Sequence, residues 1–244
     1  MTDKTQGLTM ETWKSVISAI EQSIPLYDHV NEMISLGRAQ QAREYAVQKL
    51  RITAGAIVLD SGIGPGTTSQ LLLARTKPSL LVGLDGSVKQ LKTAKENLKQ
   101  TTGDVLQVVR GSFEYLPFRE KTFDAEITCY ALRDSLNLTQ SIREYCRVCK
   151  EVGVFADVDI GKPEGMLKRA GSSFYIQYVM PVIAKLAIRG KIGGNPWRLI
   201  VPTYEKLPTT RVLLAMFEDS FPFIQLKEFL MGGIIVVVGR RSND

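Results

Sequence analysis

The sequence predicts an α/β fold: a seven-stranded, mostly parallel sheet with helices on both faces. Three observations carry this expectation. Residues 56–66, Ala-Ile-Val-Leu-Asp-Ser-Gly-Ile-Gly-Pro-Gly, read as a buried strand that runs through an acid into alternating glycines. From there to Ile160, short apolar runs alternate with amphipathic helical stretches, the pattern of βαβ units. The chain closes on two further apolar runs, 225–230 and 234–239, joined through Gly232-Gly233 as a strand pair with an antiparallel C-terminal strand.

Residues 8–22 and 38–50 have helical spacing and form an N-terminal helical cover, with Pro25–Asn31 between them. Ile57, Val58 and Leu59 suit a parallel strand covered on both faces. Gly62, Gly64 and Gly66 permit positive φ and let a ligand approach the main chain. Thr67–Lys77 continues as a helix, which places the loop at a helix N-terminus. Leu80–Leu84 is a second strand that ends in Asp85 and is followed by Gly86. The next helix carries Lys89, Lys92, Lys95 and Lys99 toward solvent and Leu91, Ala94 and Leu98 toward the sheet. Val105–Gly111, Phe123–Cys129 and Val152–Ile160 are the third to fifth strands, with a loop at 112–118 and a helix at 138–150. Residues 163–198 break the alternation with a long apolar helical stretch, Phe174–Ile188, interrupted by Pro181. Thr203–Ser220 is again helical. The reading is one Rossmann-like domain: a cover (1–50), a core (51–160), a helical insertion after strand five (161–202), and a C-terminal helix with the strand pair (203–244).

Composition narrows the function classes. A chain of 244 residues with 44% hydrophobic and 23% charged residues is ordinary for a globular domain. No apolar run reaches the length of a membrane span. The start, Met1-Thr2-Asp3-Lys4, is polar and lacks a signal-peptide pattern, so the cytoplasm is the expected location. The charge of +6 is spread along the chain. It does not form the basic-aromatic runs of single-strand binders, so nucleic acid is not an expected partner. Cys129, Cys146 and Cys149 are too few for a disulfide framework, and the C-x-x-C at 146–149 lies on an amphipathic helix. With one histidine, His29, a zinc site lacks ligands, and no metal is expected.

The glycine loop narrows the ligand. In the dinucleotide fingerprint the third glycine would fall at Thr67. The loop here is Asp60-x-Gly62-x-Gly64-x-Gly66, and an acid beside a pyrophosphate would set two negative charges together. The same acid suits a cationic ligand without phosphate. S-adenosyl-L-methionine, with an ammonium, a sulfonium and a ribose, fits: Asp60 orients its methionine end through water or backbone, and Asp85 takes the ribose diol.

With the segments placed, the chain resembles the class I S-adenosylmethionine-dependent methyltransferases. Within them it is most similar to the menaquinone/ubiquinone C-methyltransferase family, from about Tyr27 to Gly239. The matching segments are Tyr27-Asp28-x-x-Asn31, Gly111–Phe118, Phe123-Asp-Ala, Tyr130-Ala-Leu-Arg-Asp134, Pro202–Pro208 and Gly232–Gly239. The resemblance implies that residues 60–66 hold the methionine end and Asp85 the ribose. It implies that Ser112 and Phe113 flank the adenine and that Cys129 and Tyr130 sit near the methyl donor. Tyr27 would close over the ligand, and Arg133 would lie at the substrate. Three positions depart from the family: Ser112 and Asp134 replace Asp and Asn, and Glu151-Val152-Gly153 replaces Pro-Gly-Gly.

The expected reaction is C-methylation of a prenylated quinol ring, yielding S-adenosyl-L-homocysteine. Arg133 is always protonated, so its role is to stabilise a developing phenolate. Asp134 is either the base, if burial raises its pKa, or the N-cap of the helix beginning near Leu136. A water held by Arg133 and Asp134 is a further relay, and His29 in the covering segment is another proton acceptor. Phe174, Tyr175, Tyr178, Val179, Ile183 and Leu186 would line a groove for the prenyl tail, or cap the sheet, or form a homodimer face. Lys168, Arg169, Lys185, Arg189 and Lys191 suit transient contact with an anionic membrane surface. The competing readings are a methyltransferase of another small lipid or phenol, a nucleic-acid methyltransferase, and a donor-binding protein without turnover. They are separated by which substrate gains the methyl, by salt-dependent RNA binding, and by turnover itself.

Overall fold

The computed structural model describes residues 7–242, so the polar start at Met1–Lys4 lies outside the described residues. Seven strands form one sheet: β1 (Ile57–Ser61), β2 (Leu80–Asp85), β3 (Leu106–Arg110), β4 (Phe123–Cys129), β5 (Cys149–Ile160), β6 (Phe223–Phe229) and β7 (Ile234–Arg240). Their order is β3-β2-β1-β4-β5-β7-β6. β1 to β5 pair in parallel, and β7 runs antiparallel to both β5 and β6. The expected sheet is therefore present, with its antiparallel C-terminal strand.

The central strands are apolar on both faces because helices cover both. Val58 packs with Ala46, Leu50, Leu72 and Ile127 on one side. Its neighbour Leu59 packs with Tyr145, Phe155, Phe217 and Phe221 on the other. The helices are α1 (Met10–Ser23), α2 (Tyr27–Ile34), α3 (Arg38–Leu50), α4 (Thr67–Arg75), α5 (Val88–Thr102), α6 (Leu138–Val148), α7 (Met166–Phe174), α8 (Met180–Ile188), α9 (Ile200–Lys206) and α10 (Thr210–Glu218). Thr9, Ser87 and Asn137 cap α1, α5 and α6, each accepting from a backbone N–H three residues on.

Several boundaries differ from the sequence reading. The segment 203–220 is two helices, because Pro208 lacks an N–H and the chain is extended at Leu207 and Thr209. β5 begins at Cys149, directly at the end of α6. The segment around Tyr27 is a helix rather than a connector. Pro181 does not break the long helix. The turn before it, Tyr175–Val179, widens to π-helical hydrogen bonding, and α7 runs through it into α8.

The parallel strands all end at one edge, at Ser61, Asp85, Arg110, Cys129 and Ile160. β7 starts there, since Ile234 pairs with Ile160. Above this edge α1, α2, α7, α8 and α9 form a helical cap. Val30 on α2 is packed against Ala184, Ala187, Ile188 and Trp197.

Candidate active site

The loop after β1 takes its shape from glycine. Gly62, Gly64 and Gly66 have φ of +75°, +54° and +95°. A Cβ on Gly62 would lie 2.4 Å from that of Ala131, so the loop touches the segment after β4. A Cβ on Gly64 would meet only a backbone oxygen at 3.9 Å, so this part of the main chain is bare. Asp85 holds the loop down: Oδ2 accepts from the Gly64 N–H at 3.0 Å and Oδ1 from the Ser87 N–H at 2.9 Å. Burial raises the Asp85 pKa, and these two amides restrain the shift.

Asp60 sits beneath the loop. Its Oδ2 accepts from Ser69 Oγ at 2.6 Å, while Oδ1 is buried without a partner. Desolvation pushes its carboxyl up to about 6, against the Ser69 hydrogen bond.

Two cavities open at this edge. The smaller, about 70 Å³, is lined by Gly62, Gly64, Asp85, Gly86, Ser112 and Phe113, with Cys129, Tyr130, Tyr27 and Asp134 at one end. Trp13 and Ile17 of α1 and Gln90 of α5 complete it. The larger, about 490 Å³, lies under the helical cap and is mostly apolar, with walls such as Val16, Ile34, Ile176, Met180 and Ile200. Tyr27, Tyr130 and Asp134 line both cavities, so the two meet there.

The junction is charged and nearly dry. Arg133 opens onto the larger cavity. Its Nη1 donates to Asp159 Oδ1 at 2.9 Å, and its Nε lies 3.7 Å from Asp134 Oδ1. Desolvation opposes its charge, but Asp134 and Asp159 override this and raise its pKa. Burial pushes the Asp134 carboxyl up to about 6, with Arg133 pulling it back, and Oδ1 has no hydrogen-bond partner. Asp134 does not cap the following helix, because Asn137 does. Burial likewise raises the Tyr27 hydroxyl, against Arg133 and Arg43, and pushes the Cys129 thiol up to about 12. Tyr130 holds a left-handed φ of +59°, with its ring under the Arg43 guanidinium at 4.9 Å.

The structure thus gathers nine of the expected donor residues around one cavity: Tyr27, Gly62, Gly64, Asp85, Gly86, Ser112, Phe113, Cys129 and Tyr130. Asp60 and Gly66 lie outside its lining. Gly66 is instead pressed against α5, where a Cβ would come 2.9 Å from Leu98. His29 is exposed on α2 and away from both cavities. Of the expected tail-lining residues, only Tyr175 faces the larger cavity. Phe174, Tyr178 and Leu186 are turned outward, because the helix presents Ile176, Met180 and Ala184 to the interior.

Other residues of the site escaped the sequence reading. Arg43 is 3% exposed, yet it shares a helix face with Ala39, Ala46, Val47 and Leu50. A charge among those residues is the signal that marks it. Asp159, on the fifth strand, had the same signal as an acid within an apolar run. Trp13, Gln90 and Trp197, whose indole donates to Asn31 at 2.8 Å, carry no local signal at all.

The residues that line the small cavity suit the charge of the expected donor. Among its lining residues there is no Lys, Arg or His, while Asp85, Glu114 and Asp134 are acidic. Such a wall repels phosphate and favours a cation. A bare backbone at Gly64 leaves room for a ligand to approach the main chain closely.

Fold and site fit an S-adenosylmethionine-dependent methyltransferase, the class to which the family match below assigns the chain. Solved structures share the architecture. A putative methyltransferase in complex with the Trm112 activator from Haloferax volcanii superposes with a TM-score of 0.64 over 92% of this chain and 98% of that one, at 15% identity. A putative S-adenosyl-L-methionine-dependent methyltransferase from Methanococcus maripaludis gives 0.60 over 92% and 94%, at 17% identity. The sequence profile of the ubiE/COQ5 methyltransferase family matches residues 7–240, and the chain belongs to that family. Its relatives include a ubiquinone/menaquinone biosynthesis C-methyltransferase UbiE from Syntrophotalea carbinolica, 27% identical over 87% of this chain and 88% of the relative. A demethylmenaquinone methyltransferase from Listeria welshimeri is 26% identical over 85% and 87%. No helix among the described residues is long and apolar enough to cross a membrane.

Proposed function

We propose that this methyltransferase alkylates a ring carbon of a prenylated quinol, of demethylmenaquinol or benzoquinol type, that it collects from an anionic membrane surface. One observation carries the reading: an apolar chamber of about 490 Å³ meets an acidic donor cavity at a buried Arg133–Asp134 pair. The names of the relatives support the same acceptor class.

The donor, when bound, supplies an electrophilic methyl on a sulfonium. Residues 62–64 hold its methionine end, with Asp60 acting from beneath them through water or backbone, Asp85 holds its ribose, and Ser112 and Phe113 its base. On the acceptor side, Asp134 takes the phenolic proton. The O–H electron pair then delocalises to the ortho ring carbon, which becomes the nucleophile. Arg133, always cationic, stabilises the phenolate charge. Tyr27 and Tyr130 form the wall at which the two cavities meet, and the cap excludes water.

The tail points to a membrane. Phe174, Tyr178, Val182 and Leu186 form an exposed i, i+4 stripe on the α7–α8 helix, and Leu36, Leu167 and Met231 are exposed at the rim of the chamber. Lys168, Arg169, Lys185, Arg189 and Lys191 flank this surface, a charge pattern suited to anionic lipid rather than to a second copy of the same basic face.

The test is incubation of purified protein with methyl-labelled donor and reduced demethylmenaquinol or demethylbenzoquinol presented in anionic vesicles. Label in the quinol ring is the expected result. Label only in another lipid or phenol would overturn the quinol assignment. Binding to anionic vesicles should be lost when Phe174, Tyr178, Val182 and Leu186 are changed to Ser, and a dimer buried through that stripe would refute the membrane contact.

A further inference from the structure

Gln90 is 1% exposed, and neither its Nε2 nor its Oε1 has a hydrogen-bond partner. A buried primary amide with both ends idle is costly, since donor and acceptor are stripped of water without replacement. The side chain lines the small cavity, one turn into α5, beside Gly86, Gly111, Ser112 and Phe113. Its own backbone N–H is already satisfied by Ser87 Oγ at 3.2 Å. Helix geometry therefore does not explain the amide.

Two acids of the same cavity already accept from backbone amides. Asp85 accepts from Gly64 and Ser87. Glu114 accepts from the Leu136 and Asn137 N–H groups. Trp13 lies over Gly86, where a Cβ would come 3.3 Å from the indole. Between Trp13 and Phe113 the cavity has aromatic character, and at its floor is one free donor–acceptor pair.

We infer that Gln90 reads the adenine of the donor. A carboxamide presents an N–H donor and a C=O acceptor side by side, and adenine presents the complementary pair, a ring nitrogen and the exocyclic amine. Ser112, which stands where the resemblance implies an acid for that amine, is a weaker partner for it, and Gln90 supplies the missing acceptor. This rests on the donor assignment above and adds the group that selects the base.

The test is calorimetric binding of S-adenosylhomocysteine and its 6-deamino purine analogue, in which the exocyclic amine is replaced by hydrogen, to wild type, Gln90→Leu and Gln90→Glu. Wild type is expected to prefer the adenine compound by roughly tenfold or more, a discrimination of the size a pair of hydrogen bonds provides. Gln90→Leu should lose most of that preference, while its unliganded thermal midpoint stays level or rises because an idle buried amide has gone. Gln90→Glu should bind both compounds weakly, since a carboxylate only accepts. An unchanged preference in Gln90→Leu, whatever its stability, would overturn the inference and leave the donor assignment standing. A wild type that binds neither compound would overturn both.

Discussion

Asp159 grips Arg133 at two points: Oδ1 accepts from the guanidinium at 2.9 Å and Oδ2 from the Arg133 backbone N–H at 3.0 Å. One carboxylate on β5 therefore fixes both the position of the turn after β4 and the direction of its cation. Removing it leaves a guanidinium buried beside Asp134 alone. Asp159→Ala should lower stability by about 3–5 kcal/mol in urea unfolding, the usual cost of stranding one member of a buried pair. An unchanged midpoint would show that the pair is not held as described.

Asp134 should govern the acid limb of the pH–rate profile. Its carboxyl is held up to about 6, and only the deprotonated form accepts a phenolic proton. kcat/KM should therefore rise as pH passes through about 6. Asp134→Asn should lose about 10²–10⁴ in rate together with that limb. Retention of the limb in the variant would assign it to another group.

Asp60 makes a stability prediction of the opposite sense to the usual acid-denaturation trend. Its folded pKa, about 6, lies above the ordinary value of 3.8 for an aspartate. The folded state thus binds the proton more tightly than the unfolded one. This contribution is fully present below about pH 4 and is lost as pH rises through 6. In Asp60→Asn the slope of unfolding free energy against pH across that window should be less negative than in wild type.

Gly62 and Gly55 separate two costs of adding a methyl group. Both have positive φ, +75° and +83°, but a Cβ at Gly62 would collide with Ala131 and one at Gly55 would meet nothing within 4 Å. Gly55→Ala should cost about 1 kcal/mol from backbone strain alone. Gly62→Ala should cost more and also weaken S-adenosylhomocysteine binding in calorimetry. Equal effects would mean that the Gly62–Ala131 approach is not a constraint.

The core of the fold was legible because its signals are local. Most of the parallel strands are short apolar runs stopped by a glycine or an acid, as at Leu59-Asp60 and Leu84-Asp85, and most of the expected donor residues sit where the strands stop. The cap was less legible. Which residues of Phe174–Ile188 face inward depends on where α2 and α9 pack, and Ile176 and Met180 won the interior over Phe174 and Tyr178. The break at Pro208 was readable from its missing N–H, whereas the π turn before Pro181 depends on the whole helix holding its course. Arg43 and Asp159 are marked only as charges within apolar surroundings, and what they pair with appears once the elements around them are assembled. Gln90 and Trp13 come together only through the docking of α1 across α5, which no run of neighbouring residues announces.

Glu114 ties the two halves of the site. It follows Ser112 and Phe113 on the donor side, and its Oε1 accepts from Leu136 and Asn137, just past Asp134 on the acceptor side. Gln140 returns the contact, donating to the Glu114 carbonyl at 3.3 Å. On the proposed assignment, redrawing the 132–136 turn to admit a new acceptor would therefore disturb the loop proposed to hold the base as well, unless those two amides are kept. The proposed function thus makes acceptor range and donor affinity mechanically linked traits, and libraries aimed at one should be screened for both.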